Sequence, residues 1–157
     1  MMKKLKRHDL KSSVLFLEIE QKNTKAAIEA LGSGESVDIR DLDGNTPLVR
    51  AAFLGLTDLV SHLLQHGATP NAVNDRGWSA LHFAAQEGHT ALARLLIEAG
   101  AEVDLRDQDG NTPLSNAVFS RSTDVVRVLI NVGADPNASN DHGISPQELA
   151  DSMGFQI

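Results

Sequence analysis

The stretch Gly44-Asn45-Thr46-Pro47-Leu48 decides the fold, because it comes back. It returns as Gly77-Trp78-Ser79-Ala80-Leu81 and as Gly110-Asn111-Thr112-Pro113-Leu114, and opens once more as Gly143-Ile144-Ser145-Pro146, each copy 33 residues after the last. Gly67-Ala68, Gly100-Ala101 and Gly133-Ala134 keep the same phase, trailed by Asn71, Asp104 and Asn137. One period held without insertion is the signature of a repeat architecture.

Each unit reads as two helices and a projecting turn. The hydroxyl of Thr46, Ser79, Thr112 or Ser145 is placed to cap a helix start, and proline at the first helical position loses no useful N–H. Ser145-Pro146-Gln147-Glu148 is a full capping box. A first helix then runs over Ala51-Ala52 or Ala84-Ala85, small residues that let neighbouring helices approach. Gly55 and Gly88 end it in the left-handed conformation that glycine tolerates. A second helix presents Leu59, Val60, Leu63 and Leu64, repeated as Leu92, Leu95, Leu96 and Ile97 and as Val125, Val126, Val128, Leu129 and Ile130. That is helical apolar spacing. No unit buries its apolar face alone, so the units must stack.

These residues resemble the ankyrin family, and the match covers residues 41–146. The resemblance implies an all-α solenoid of an N-terminal cap, three full repeats and a truncated C-terminal cap, with hairpin-like turns. The units are expected at about 8–40, 41–73, 74–106, 107–139 and 140–157, one domain over 8–157, after a basic flexible leader at 1–7. Thr24, Ala30-Leu31 and Val37-Asp38 are in phase with the later repeats and mark the first cap. At the other end Asp151 replaces the second alanine of the pair, and the chain stops at Ile157 after one helix, so the last unit is half a repeat or the chain is truncated.

Charge is uneven. The first eleven residues hold Lys3, Lys4, Lys6, Arg7 and Lys11 against Asp9, a net of +4, which leaves −11 of the total −7 to the rest. An acidic body argues against nucleic acid, since phosphate binding needs a positive face, and it favours a basic protein partner steered in by the opposite field. No stretch approaches the roughly 18 apolar residues of a membrane helix, and Val14-Leu15-Phe16-Leu17 is too short for a signal-peptide core. A cytoplasmic monomer is expected. The absence of cysteine excludes disulfides and thiolate metal sites.

Catalysis needs a nucleophile, base or metal constellation. The best candidate is His62 with His66, four apart on one helix face, but no third ligand stands near them in sequence, so an enzyme built on this pair is the weakest alternative. No cofactor is expected. His82, three residues after Ser79, resembles the family histidine that hydrogen-bonds the capping hydroxyl, and His89 reads as structural too.

What remains is the surface the stack does not need. In ankyrin proteins the concave groove usually binds partners, and that register implies tip residues Leu42, Asp43, Asp75, Arg76, Gln108, Asp109, Asp141 and His142. It adds Asn45, Trp78, Asn111 and Ile144, helix-end residues Phe53, Leu54, Gln86, Glu87, Phe119 and Ser120, and a partly exposed position shared by Arg50, Phe83 and Asn116. Asp41 and Asp107 are expected to fold back into their own turns. Asp43, Asp75, Asp109 and Asp141 are then left as an acidic row. Four of the six aromatic residues fall on this face, where anchors of an interface would sit. Arg121 replaces the glycine of Gly55 and Gly88, so either the left-handed strain is tolerated or the loop is remodelled, and a remodelled groove wall beside Phe119 is the preferred reading. Gly110 to Phe119, Gly133 to Asn137 and Gly143 to Ala150 are similar to small bacterial ankyrin proteins, some of them immunity proteins. That likeness implies an inhibitor of a basic toxin; a general adaptor or regulatory scaffold is the alternative.

Overall fold

The computed structural model describes residues 7–32 and 36–157, and within them nine helices follow one another. They are α1 (Arg7–Glu20), α2 (Thr24–Leu31), α3 (Pro47–Phe53), α4 (Thr57–Gln65), α5 (Ala80–Gln86), α6 (Thr90–Glu98), α7 (Pro113–Phe119), α8 (Thr123–Asn131) and α9 (Pro146–Ser152). The odd-numbered helices pack in one row, α1 on α3, α3 on α5, α5 on α7 and α7 on α9. The even-numbered helices form a second row, α2 on α4, α4 on α6 and α6 on α8. This is the all-α repeat stack that the period predicts. Among the described residues the only β pairing is an isolated antiparallel bridge between Val73 and Ser79. The expected leader lies outside the described residues except for Arg7, the first residue of α1.

The caps hold as the sequence indicates. Thr46, Ser79, Thr112 and Ser145 each accept the backbone N–H of the third helical residue, and Ser145 with Glu148 closes a reciprocal box. Glu148 is held below the ordinary carboxylate range by the Ser145 N–H and hydroxyl it accepts. Between the rows lie Leu48, Leu59, Leu63, Leu81, Leu92, Leu96, Leu114 and Leu129, all closed to solvent, with Ala51, Ala52, Ala84 and Ala85 between the inner helices. Small side chains there let backbones come close, and leucines fill the wider gap behind them. Ala150 is buried in the last unit while Asp151 faces solvent and accepts a bond from Gln147.

Successive units are also joined by polar contacts. Asp38, Asn71 and Asp104 accept the backbone N–H of Thr69, Glu102 and Asp135, respectively, each 31 residues on. At the tips, Asp75 N donates to Asp43 O, Gln108 N to Arg76 O and Asp141 N to Asp109 O, at 2.9–3.1 Å. Gly44, with φ +75°, sits against that seam: a Cβ there would fall 2.9 Å from Asp75 N. Only glycine meets both the left-handed turn and the close approach.

Arg121 corrects one expectation. It takes φ +57°, the conformation of Gly55 (+70°) and Gly88 (+71°), and Ser122 N bonds Ala117 O just as Leu56 N bonds Ala51 O and His89 N bonds Ala84 O. The loop is not remodelled. A single αL residue costs on the order of 1 kcal/mol, too little to unmake a turn whose other hydrogen bonds are kept. The side chain meanwhile reaches the last unit, Nη2 donating to Met153 O at 3.0 Å.

Candidate protein-binding groove

One repeat position anchors each of the four turns. Asp41, Asn74, Asp107 and Asn140 each accept two backbone N–H groups of their own turn through Oδ1, two and four residues on. Asp41 and Asp107 thus fold back as expected. Burial pushes the Asp41 carboxyl up, but bonds from Asn45 and Asp43 and the charge of Arg50 outweigh it and hold the group below its usual range. Side chains then link turn to turn: Asn74 Nδ2 donates to Asn45 Oδ1 at 2.9 Å, and Asn140 Nδ2 to Asn111 Oδ1 at 2.8 Å. Asn45, expected on the groove, is among the residues lining the first hollow described below, where it is almost closed to solvent and bonded to Asn74 and to both Asp41 oxygens. It holds the scaffold.

Inside this frame α3, α5 and the turn that leads into α5 carry a run of rings. Phe53 and Phe83 meet edge to face at 5.4 Å, Phe83 and Trp78 lie 4.8 Å apart, and Trp78 stacks on His82 at 6.1 Å. Phe53 keeps 39% of its surface exposed, so the run is open to solvent at one end. His82 is fully buried: Nδ1 accepts the Ser79 N–H at 3.2 Å, which places the proton on Nε2, 3.3 Å from Asn111 O. Burial holds this imidazole below its ordinary range, against the opposite pull of the Asn111 carbonyl, Asp107 and the Leu105 carbonyl.

Two hollows follow. The first, about 420 Å³, lies among Asp43, Arg50, Phe53, Asp75, Arg76, Trp78 and Phe83. Arg50 is clasped at its back, Nε 3.0 Å from Glu20, and Nη2 2.9 Å from Asp41 and 3.8 Å from Asp43. Three carboxylates answer one guanidinium, so this corner is acidic in sum. The second hollow, about 310 Å³, joins Trp78 and Gln86 to Asn111, Asn116, Phe119 and Ile144. Asn116, expected half exposed, is buried in α7, while Phe119 is 71% exposed. Val49, Asn74, Ser115, Asn140 and Leu149 also line these hollows; their counterparts one repeat away differ in character, so the register alone did not single them out.

The other expected residues lie on the rim. Asp109, Asp141 and His142 are exposed on the tips, and Glu87 is exposed at the end of α5, outside both hollows. The acidic row is not continuous. Arg76 and His142 share the repeat position of Asp43 and Asp109, so acid and base interleave along the tips.

His62 and His66 stack at 4.0 Å, with His66 Nδ1 2.8 Å from His62 O, and among the described residues no group of three or more His, Asp or Glu is placed to hold an ion. Burial, and after it the neighbouring His66, lowers the pKa of His62. Among the described residues no helix is long and apolar enough to cross a membrane.

Comparison with known proteins agrees with the stack. The family profile for ankyrin repeats in three copies matches residues 55–140. A 63-residue stretch, 40% of this chain, is 44% identical to NF-kappa-B inhibitor delta of Mus musculus and covers 19% of that protein. A 49-residue stretch, 31% of this chain, is 49% identical to neurogenic locus notch homolog protein 2 of Homo sapiens and covers 2% of it. A 54-residue stretch, 34% of this chain, is 43% identical to an ankyrin repeat domain-containing protein of Monkeypox virus and covers 12% of it. The chain thus matches less than a fifth of the length of these relatives. With more than half of its residues under the profile and the helices stacked at the same period, this chain belongs to the ankyrin-repeat family.

Proposed function

We propose that the protein is an adaptor that holds a basic segment of a protein partner in its concave groove. The observation that carries this reading is the ring run Phe53–Phe83–Trp78 lying open beside Asp43 and Asp75 in one hollow. Ring faces attract cations, and with Arg50 already answered by Glu20 and Asp41, the two carboxylates outnumber Arg76, the remaining cation of the lining. A lysine or arginine of the partner suits the hollow better than an acid does. Residues 8–157 act in this reading as one binding domain, its N-terminal cap supplying Glu20. The narrower reading, an inhibitor of a toxin, draws on likeness in sequence to bacterial proteins. The relatives named above carry the names of signalling and viral proteins, which favours the adaptor.

The test is a partner recovered with the full chain and then measured against variants. Trp78→Ala should weaken binding by about 2 kcal/mol or more, chiefly through faster dissociation. Neutralising Asp43, Asp75, Asp109 and Asp141 together should mainly slow association and flatten its dependence on salt. A complex in which Trp78 and these four aspartates all stay exposed would refute the reading.

A further inference from the structure

The two hollows differ in chemistry, although they share Trp78 and Gln86. Four charged side chains line the first, Asp43, Arg50, Asp75 and Arg76, and none lines the second, in a chain where 22% of residues are charged. The polar groups of the second hollow are the Ser115 hydroxyl, the Trp78 indole N–H and four carboxamides. Asn111 and Asn140 are spent on each other and on their turns. Gln86 has no side-chain hydrogen bond among the described residues. Asn116 is more than nine-tenths buried, and its Nδ2 has no partner.

A buried N–H without an acceptor is costly, and such groups in folded proteins call for an explanation. Here the repeat supplies a comparison. Arg50 and Phe83 occupy the same position in α3 and α5. The guanidinium of the one lies among carboxylates, though its buried Nε, 3.0 Å from Glu20, makes no hydrogen bond, and the ring of the other packs on Phe53 and Trp78. In α7 the position carries an amide beside Phe119, 71% exposed, and Ile144, 46% exposed. The terminal torsion of asparagine is soft and nearly twofold, so the amide turns toward the groove at little cost.

We propose that the second hollow is a subsite for an uncharged, extended stretch of the partner. One main-chain carbonyl of that stretch accepts the Asn116 Nδ2–H, and one aliphatic side chain lies between Phe119 and Ile144. A charged residue placed there would lose its water and meet no counter-ion. A peptide group offers one donor and one acceptor, which the carboxamides of Gln86 and Asn116 match. Packed helices stand about 8–10 Å apart, and extended chain advances about 3.3 Å per residue. A basic residue over the first hollow therefore stands about three residues from the aliphatic one. The inference rests on the groove being the binding face.

Panning a random dodecapeptide library against the full chain tests it, with dissociation constants of enriched peptides read by fluorescence polarisation. The expected consensus is an aliphatic residue among uncharged neighbours, with lysine or arginine about three positions away. Asn116→Leu should weaken the best peptide about fivefold, the worth of one net hydrogen bond, and Phe119→Ala about tenfold. Saturation with that peptide should also move the Asn116 side-chain amide resonances, which a purely structural role would leave in place. Phe119 is exposed, so its truncation opens no core cavity and keeps the test alive if Asn116→Leu misfolds. Charged residues enriched at the aliphatic position, or affinities indifferent to Asn116 and Phe119 but lost in Trp78→Ala, would overturn the subsite and leave the groove reading standing. Affinities indifferent to all three would overturn both. A dimer of the free protein that dissolves on Phe119→Ala would overturn the subsite by assigning it to a second copy.

Discussion

Acid should loosen this protein through His82. The ring is closed to solvent, with both nitrogens engaged as neutral imidazole. Its folded pKa lies below the ordinary 6.5. Below about pH 6.5 the unfolded chain takes up a proton that the folded chain refuses, so stability is complete above that pH and falls as the pH drops toward the folded pKa. The limiting slope is about 1.4 kcal/mol per pH unit. From pH 7.5 to 5.5 the loss is then at most about 1.4 kcal/mol, since only the last unit lies below the unfolded pKa. In urea, with a slope of about 1.5–2.5 kcal/mol per molar, the midpoint should drop by about 0.5–1 M. His82→Gln separates this from other titrations. Glutamine at that position can still reach back to the Ser79 N–H, but it does not ionise, so the variant should lose most of the pH dependence. His62, also depressed, acts with the same sign, and His62→Gln measures its share. If His82→Gln weakens with acid as steeply as the parent chain, the account of His82 as a buried neutral ring is wrong.

Leu96→Ala, in the outer row of the middle unit, should cost about 2–5 kcal/mol by denaturant titration, because the side chain is fully enclosed between two neighbours; a loss under about 0.5 kcal/mol would contradict the core assignment. Arg121→Gly should be more stable than Arg121→Ala by about 1 kcal/mol, since both lose the bond to Met153 O and only glycine relieves the left-handed backbone. The reverse order in thermal melts would rule out φ +57° at that residue. Calorimetry with zinc should find no micromolar site at His62 and His66, because two ligands fall short of the three or four that zinc sites use; such a site abolished by His62→Ala would revive the metal reading.

The helices, their caps and the stacking rows were legible because each depends on a few adjacent residues repeated in phase. Thr46-Pro47 and Ser145-Pro146 announce helix starts wherever they occur, and the leucines of the outer row follow from period alone. The groove was legible in azimuth but not in depth. The register puts Asn45 and Asn116 on the right side of the stack, yet says nothing of what lies over them, and both are buried, Asn45 bonded to the amide of Asn74. Nor does it show that Arg50 is held by Glu20, thirty residues upstream in α1, because that contact exists only after two units dock. Arg121 misled for a different reason. A glycine rule states a cost, and a cost of about 1 kcal/mol is absorbed when the neighbouring bonds are kept.

The seam of backbone bonds at the tips makes the array resemble a one-dimensional crystal. Asp75 N meets Asp43 O, and Gln108 N meets Arg76 O, by the same geometry. Every interior unit therefore presents to its successor the surface that it receives from its predecessor. Excising one whole period, residues 74–106, would bring Gln108 N opposite Asp43 O, and the lattice would close over the gap. Its length can change while its unit cell stays fixed. Partner choice is then written in units that can be exchanged one at a time, and removing this one would delete Trp78 and with it the wall between the two hollows.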